Sequence, residues 1–320
     1  MFDFVRKCAS TPSRHLLLAL GIALLLPPSA CKKQESATAQ TGPGTFASPQ
    51  DAGKALADAA KSQNQDELLR IFGPGTADII STGDAVQDKT ALSGFAQSYQ
   101  VMHRWRKLSD SSNVLLVGAD NQAFPIPLNK NSTGQWYFDA AAGRDEILSR
   151  RIGHNEITTI GVCSALVDAQ SEYFSQKHGG VKQYAQKFIS DPGQENGLYW
   201  ADVSSQRKSP LGPLAAYATA EGYKVDPNHH QPFNGYYYLM LKKQGPNAVR
   251  GAKNYIINGK MTGGFAIVAY PAKYGNSGVM TFMINQDGTL LQKDLGRTTE
   301  QVASTMTEFN PDTTWTVVEE

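Results

Sequence analysis

The stretch RDEILSRRIGHNE, residues 144–156, holds residue types that enzymes often use in catalysis. Its polar candidates are Arg144, Glu146, Arg150, Arg151, His154, Asn155 and Glu156. Glutamate and histidine serve general acid–base catalysis, and arginine binds anions. The same residues suit a helix-to-helix junction, because Glu146 and Arg150 are spaced to pair along a helix and Asn155 can cap the next one. We expect a polar cluster where two domains meet, with Arg151 as the inter-domain contact, and an active site is the alternative.

Ser277 is a candidate nucleophile, since it lies between Gly275 and Gly278 in YGNSGVM. The pattern is similar to the nucleophile loop of trypsin-like proteases. Its second glycine is missing, however, and neither His103 nor His154 lies in a supporting motif. A β-turn between two strands explains both glycines, so we assign no catalytic residue.

Metal and phosphate sites also lack a clear pattern. His229 and His230 follow Asp226 and Asn228, but Cys, His or carboxylate partners at metal-ligand spacing are missing, so we interpret the segment as a solvated loop. NGKMTGG, residues 258–264, lacks the residue order of a phosphate-binding loop. We expect neither a metal nor another cofactor.

Aromatic residues are concentrated in the second half of the chain. The candidates for a binding surface are Tyr199, Trp200, Tyr236 and Tyr237. Such rings can line a groove for a peptide, a glycan or a partner protein. The alternative, which we favour, is that they form the core and cover of a sheet.

The N-terminus predicts an export signal. Arg6, Lys7 and Arg14 precede or flank the apolar run Leu16–Leu26, which is too short to span a membrane but suits the apolar region of a signal peptide. We therefore predict a signal peptide at residues 1–30.

The segment PPSAC, which ends at Cys31, resembles the lipobox of bacterial lipoproteins, although Pro28 stands where an aliphatic residue is usual. The resemblance implies that the Cys31 sulfur carries a diacylglycerol, which would hold the chain to a membrane. Ordinary cleavage near Ala30 is the alternative. Residues 31–47 have the composition of a flexible tether. Lys32 stands after the cysteine in place of an aspartate, and the resemblance to Gram-negative lipoproteins then implies sorting to the periplasmic face of the outer membrane.

Composition and charge restrict the class of protein. Hydrophobic residues make up 41% of the chain and charged residues 18%, which is typical of a folded globular protein. The net charge of +1, without a run of basic residues, excludes nucleic acid as an expected partner. If Cys31 is lipidated, Cys163 is the remaining thiol of the mature chain, and no intrachain disulfide is expected.

Hydrophobic periodicity predicts an α+β fold of two domains, residues 48–142 and 143–320. In the first domain we expect helices at SPQDAGKALADAAKS, NQDELLRIFG and DKTALSGFAQSYQVMH, and then strands at NVLLVG and GQWYFDA. Helices followed by a small curved sheet are similar to domains of the nuclear-transport-factor-2-like type. Such folds host enzymes and inert modules alike.

In the second domain a long helix is predicted from Asn155, which can cap it. Gly153, just before, permits a bend or a tight contact. The helix should bury one apolar stripe of residues. The stripe is Ile157, Ile160, Cys163, Val167 and Phe174. Further helices are expected at VKQYAQKFI, PLAAYATAEG and TTEQVASTMTEF, the last with a capping box of Thr298 and Gln301.

Strands are expected at NGYYYLMLKK, GGFAIVAYPA and GVMTFMINQ, with Asp287-Gly288 as the hairpin turn before TLLQKD. A long helix on an antiparallel meander resembles the globular head of type IV pilins. Ala169-Gln170, Tyr173 and GVMTFMINQDG match motifs of that group.

Several segments together resemble one bacterial family of exported proteins, the domain of unknown function 2950. They are FPIPL, WYFDAAAGRDEILSRRIGHNE, DAQSEY, GLYW, SPLGPL, NGKMTGGFAIVAYPAKYGNSGVMTF and DLG. The resemblance covers nearly all of residues 48–320 and implies an address in the cell envelope without an established activity. We expect a cell-envelope lipoprotein that acts as a binding or structural module, with an envelope protein or a glycan as partner. The alternative is an envelope hydrolase that acts on peptidoglycan or peptide.

Overall fold

The computed structural model describes residues 41–201, 208–226 and 230–319. The predicted signal peptide, Cys31 with most of the predicted tether, and His229 lie outside these residues. None of the described helices combines the length and the apolar character needed to span a membrane.

The described residues form a mixed α+β structure, which confirms the predicted fold class, and they belong to one compact unit. The helices are α1 (Pro49–Ser62), α2 (Gln65–Phe72), α3 (Ala77–Ile80), α4 (Ala85–Val101), α5 (Ala140–Ser175), α6 (Gly212–Ala220) and α7 (Thr299–Ala303), with a 3₁₀ turn at Gly296–Thr298. The strands are β1 (His103–Ser109), β2 (Ser112–Val117), β3 (Gln122–Ala123), β4 (Leu128–Lys130), β5 (Trp136–Phe138), β6 (Lys177–His178), β7 (Val181–Lys182), β8 (Tyr236–Leu241), β9 (Lys243–Gln244), β10 (Lys253–Asn254), β11 (Ile256–Ile257), β12 (Lys260–Met261), β13 (Ala266–Pro271), β14 (Met280–Asn285), β15 (Leu291–Asp294), β16 (Glu308–Phe309) and β17 (Thr316–Val317).

The first part of the fold places α1, α2 and α4 against an antiparallel sheet of order β1-β2-β4-β5, in which β3 also pairs with β2. Local signals fix the helix starts, because Ser48 Oγ accepts from Asp51 N at 3.1 Å and Asn64 Oδ1 accepts from Glu67 N at 3.0 Å. The helices and strands predicted here are confirmed, whereas α3 and β1 were not predicted. Apolar residues between the helices and the sheet form the first core. Its largest members are Leu56, Leu68, Ile71, Phe72, Ile126, Leu128, Trp136 and Phe138.

The second part of the fold places α5 against an antiparallel sheet of order β17-β15-β14-β13-β8. The predicted strands are present, and Gly288 N donates to Asn285 O at 3.0 Å in the predicted hairpin turn. Strand β13 is buried along its whole length, so it lies at the centre of the second core.

Helix α5 begins earlier than predicted. Asp139 caps it by accepting from Ala142 N at 3.2 Å, and the helix then runs without a break for 36 residues. The prediction that Asn155 caps a separate helix, with a bend allowed at Gly153, was therefore wrong. One glycine in a helix costs only about 1 kcal/mol, which the strong helix formers around it offset. The boundary predicted between residues 142 and 143 falls inside the first turn of α5, so both parts of the fold share this helix.

The buried face of α5 also differs from the predicted stripe, since Ile157 is 73% exposed. The buried residues from the middle of the helix onward are Asn155, Thr159, Val162, Cys163, Leu166, Ala169, Gln170 and Tyr173. Burial of Cys163 is confirmed. Polar side chains lie on this face because they find partners inside the protein. Gln170, for example, exchanges two hydrogen bonds of 2.9 Å with the backbone of Ala185.

Two predictions of local structure were wrong. Residues 181–189 are not helical, because Tyr184 N donates to Met261 O and the backbone of Ala185 bonds to Gln170, which uses groups that a helix would need. Thr298 makes no capping bond, since its hydroxyl donates to Leu295 O instead. Helix α6, in contrast, lies where PLAAYATAEG predicted it.

Candidate functional site

Polar side chains from three regions meet where the two parts of the fold touch. They come from the start of α4, the middle of α5 and the loops that precede β8 and β14. We call the following set the polar seam: Thr82, Asp84, Gln87, Asp88, Arg151, Asn155, Tyr223, Asn234 and Asn276. Most of these residues are buried, although Gln87 and Arg151 are half-buried.

Arg151 contacts both parts of the fold. Its Nη1 donates to Asp78 O at 2.8 Å and to Asn276 Oδ1, and its Nη2 donates to Ile79 O at 2.8 Å. Asn276 Nδ2 in turn donates to Asp78 O and Ser81 O, at 3.1 Å each. Burial lowers the pKa of the Arg151 guanidinium from its ordinary value, and the carboxylates of Asp88 and Asp78 act in the opposite direction. Arg151 therefore carries its charge in a partly desolvated position.

Asn155 is fully buried at the centre of the seam. Its Oδ1 accepts from Gln87 Nε2 at 2.6 Å, and its Nδ2 donates to Ser277 O at 2.8 Å. Gly235, with φ at +78°, passes so close that a Cβ atom there would lie 2.4 Å from Asn155 Nδ2. A side chain at position 235 would thus be both strained and in collision with the seam.

Asp84 is 1% exposed and binds groups from both parts of the fold. Its Oδ1 caps α4 by accepting from the backbone N of Val86 and Gln87, at 3.1 Å each. Its Oδ2 accepts from Tyr223 Oη at 2.7 Å and from Gly235 N at 3.0 Å. Burial together with this bond raises the pKa of Tyr223 above its usual range.

The remaining members of the predicted cluster occupy different surroundings. Arg144 pairs with the carboxylate of Asp78, and Glu146 pairs with Arg150 at the surface. His154 is exposed. Glu156 Oε1 accepts from the backbone N of Val279 and Met280, at 2.9 Å each, and so holds the start of β14 against α5.

The geometry at Ser277 fits a turn and not a nucleophile. The residue is fully buried. Its Oγ accepts from Lys273 N at 2.9 Å and donates to Lys273 O at 3.2 Å. No histidine side chain among the described residues bonds to this hydroxyl. A serine nucleophile needs such a base within hydrogen-bond reach.

A cavity of about 720 Å³ lies between the polar seam and the first core. Its wall is mostly apolar, and the apolar residues come from α1, α2, α4, α5 and the segment before β4. They include Leu56, Leu68, Phe72, Leu92, Phe95, Phe124, Ile126 and Ile147. Thr90 and Ala91 are exposed and also line it, so the cavity opens toward solvent beside α4. We call this space the seam cavity.

The polar residues that line the seam cavity are gathered on the side of the seam. The buried or half-buried members on that side are Thr82, Gln87, Asp88, Arg151, Asn155, Tyr223 and Asn234. The cavity is also lined by the exposed residues Gln122, Arg150, His154 and Tyr217 and by the half-buried Glu221. Asp88 accepts from Thr82 N at 2.8 Å and from Ser81 Oγ at 3.0 Å, so both of its oxygens are engaged. Asn234 is 8% exposed, and its buried Nδ2 has no hydrogen-bond partner.

The predicted aromatic binding surface does not form one surface. Tyr236 is fully buried and donates to Met280 O at 2.9 Å, and Trp200 is 8% exposed. Tyr237 stacks on His230 with ring centroids 4.9 Å apart. Tyr199 lines a second cavity, of about 560 Å³, between α5, α6 and the segment 230–233. These aromatic rings thus contribute mainly to the core and cover of the sheet, which is the alternative favoured in the sequence analysis.

Two further points concern metal ligands and the residues that the sequence did not indicate. No group of His, Cys, Asp and Glu within the described ranges could hold a metal ion. Lys260 donates to Gly179 O at 2.7 Å, a structural use of that side chain. Of the polar seam, the sequence pointed to Arg151 and Asn155 as polar-cluster residues. It gave no indication that they would be joined by Thr82, Asp84, Gln87, Asp88, Asn234 and Asn276. A capping signal at Asp84 was present in the sequence, but nothing local indicates that its second oxygen meets Tyr223.

No curated protein and no solved structure matches the chain. A family model does match, over residues 44–318, and its description is "Protein of unknown function (DUF2950)". The matched span includes both five-stranded sheets, α5, the polar seam and the seam cavity. Because the match covers most of the sequence, this chain belongs to the DUF2950 family of proteins of unknown function.

Proposed function

We propose that this protein is a lipid-anchored binding protein of the cell envelope and that it holds a small apolar ligand in the seam cavity. The observation that carries the proposal is the cavity itself, with its volume of about 720 Å³, its apolar wall and its polar groups on one side. Ligand pockets typically have this volume and this arrangement, in which a few polar groups fix the orientation of a mostly apolar ligand.

Binding can be measured with a neutral apolar fluorophore, N-phenylnaphthylamine, whose emission rises when it leaves water. We expect saturable binding to the wild-type protein and a loss of at least tenfold in affinity when Ala91→Trp places an indole in the cavity wall. Ala216→Trp is the matched control, because Ala216 is exposed on α6 and lines neither cavity. Equal binding by the two variants would show that the fluorophore sits elsewhere.

The envelope address is the second half of the proposal, and it rests on the sequence before residue 48. The order of basic residues, apolar run and Cys31 supports export, lipidation of Cys31 and residence at the periplasmic face of the outer membrane. Cys31→Ser should move the protein from the membrane fraction to the soluble fraction or leave the leader uncleaved. Intact-mass analysis of the wild-type protein that gives an unmodified N-terminus would rule out the lipid anchor.

A binding role has more support than hydrolysis of peptidoglycan or peptide. Ser277 is tied to its own turn, and His154 is exposed without a hydrogen-bonded nucleophile among the described residues. A hydrolase would need a nucleophile or water, a base and a group that stabilises developing charge, all within reach of one another. Release of soluble fragments from purified peptidoglycan by the protein would favour the hydrolase instead.

We also propose a kinship at the level of architecture. The first part would be related to nuclear-transport-factor-2-like domains, because helices α1, α2 and α4 cover an antiparallel sheet. The second would be related to type IV pilin heads, because α5 lies on the meander of β8 and β13–β15. Such a kinship would concern the fold alone and would carry no function by itself.

A further inference from the structure

We propose that the ligand of the seam cavity is an amphipathic carboxylate, an apolar chain whose acid group lies against Arg151 and Asn234. This inference rests on the proposed binding function and names the ligand class. Three observations support it. Arg151 has no directly bonded carboxylate among the described residues, Asn234 has an unused donor, and the cavity wall has a polar and an apolar side.

The charge of Arg151 lacks a direct ionic partner. Among the described residues, its hydrogen bonds go to two backbone carbonyls and to the side-chain amide of Asn276, and no carboxylate pairs with it. A guanidinium has five N–H groups, and these bonds use three of them. Buried charges are normally paired, and a guanidinium matches a carboxylate in a two-pronged geometry. Asp88 and Asp78 lie close enough to act on this charge but do not bond to it. Arg151 also lines the cavity, so the acid group of a ligand can supply a directly bonded carboxylate.

Asn234 supplies a second donor at the same side of the cavity. Its Nδ2 is buried without a partner, although a buried N–H group left unbonded costs about 1–3 kcal/mol. The backbone of Asn234 is fixed by a bond from its own N to Tyr223 Oη at 3.1 Å, and its φ of +50° suits asparagine. The residue is therefore held in place with an unused donor, which an acceptor oxygen of a ligand would satisfy.

The rest of the wall fits an apolar chain. Phe72, Phe95 and Phe124 line the side that faces the first core. Two acids also line the cavity and would oppose an anion. Both oxygens of Asp88 are engaged by Thr82 and Ser81, whereas Glu221 is half-buried. Arg150 also lines the cavity, but its charge is already paired with Glu146.

The test compares dodecanoate with dodecanol, two ligands of the same chain that differ in the head group. Calorimetric titration is done below the micelle concentration of dodecanoate and below the solubility limit of dodecanol. We expect dodecanoate to bind at least about tenfold more tightly to the wild-type protein, the ratio that one charge-assisted hydrogen bond supplies. In Arg151→Gln the two affinities should become equal. Arg104→Gln, an exposed arginine on β1, is the matched control and should keep the wild-type ratio.

Asn234→Gly provides a second variant in case Arg151→Gln fails to fold, because glycine accepts the same positive φ. It should weaken dodecanoate about fivefold and leave dodecanol unchanged. Equal binding of the two ligands to wild-type protein, or a ratio that neither variant alters, would overturn the carboxylate inference while leaving the proposed binding function intact. Failure of dodecanoate, dodecanol and N-phenylnaphthylamine to bind at all would overturn both.

Discussion

Asp84 shows how one buried carboxylate can hold several segments together. It caps α4 with one oxygen and accepts from Tyr223 and Gly235 with the other. Both donors on the second oxygen lie more than a hundred residues away in sequence, so the side chain fixes α4 against the chain before β8. Its function is structural, and it places Gln87 and Asp88 beside the cavity.

Asp84→Ala should destabilise the protein by about 3 kcal/mol or more. A lost N-cap costs about 1 kcal/mol, and each buried donor left without a partner costs about 1–3 kcal/mol. The measurement is the free energy of unfolding from a urea titration. Asp58→Ala is the control, because Asp58 pairs with Lys54 on the exposed face of α1 and should change stability by less than about 0.5 kcal/mol. Similar losses in the two variants would contradict the role given to Asp84.

The thiol of Cys163 should be inert in the native protein. Burial raises its pKa to about 12, and the reactive thiolate is therefore scarce at neutral pH. In protein with Cys8 and Cys31 replaced by serine, maleimide labelling should be slow when folded and should stay slow between about pH 7 and pH 9, where an exposed cysteine gains reactivity. Unfolding in urea should restore fast labelling. Fast labelling of the folded protein would disprove the buried environment.

At the scale of elements, predictions succeeded where the signal is local. The first two helices and the Asp287-Gly288 turn lie where short-range chemistry places them. The buried face of α5 was misjudged because Asn155 and Gln170 are polar, and only their distant partners make them interior residues. The seam could not be predicted for the same reason, since each of its main bonds joins segments far apart in sequence.

Two glycines of α5 give opposite predictions. A Cβ atom at Gly153 would meet nothing within 4 Å, so Gly153→Ala should stabilise the protein by about 0.5–1 kcal/mol through helix propensity. A Cβ atom at Gly143 would lie 2.7 Å from Ile126 Cα and Pro125 O, so Gly143→Ala should destabilise it by about 2 kcal/mol. Thermal unfolding of both variants checks the pair. A lower melting temperature for Gly153→Ala would indicate that α5 bends there after all.

At the scale of the whole molecule, the two cores share one helix and one polar seam. The division into domains at residues 48–142 and 143–320 stays a prediction. The shared helix and seam determine whether two such domains would unfold separately or together. Independent domains unfold separately when few contacts join them. Here Arg151 bonds to Asp78 and Ile79 across the division. Asn155 bonds across it to Gln87, and Asp84 bonds across it to Tyr223 and Gly235.

We therefore expect wild-type protein to unfold in a single transition that near-ultraviolet circular dichroism and calorimetry report together. Arg151→Ala should lower the melting temperature by several degrees, because it removes three hydrogen bonds between segments. Arg104→Ala, at an exposed position on β1, should have little effect. Two resolved transitions in the wild-type protein would show that the seam couples the parts only weakly.

Because α5 is unbroken, it also fixes the angle around its axis between the side chains that face the first core and those that face the second. Ala140 and Ile147 face the first core and Val162, Leu166 and Tyr173 face the second, all on one rigid rod roughly 54 Å long. One residue inserted between these two sets would turn one against the other by about 100°, whereas seven would restore the phase after two turns. Surface loops can change in length without this penalty. Insertions and deletions between Ile147 and Val162 should therefore be tolerated less well than those elsewhere in this fold.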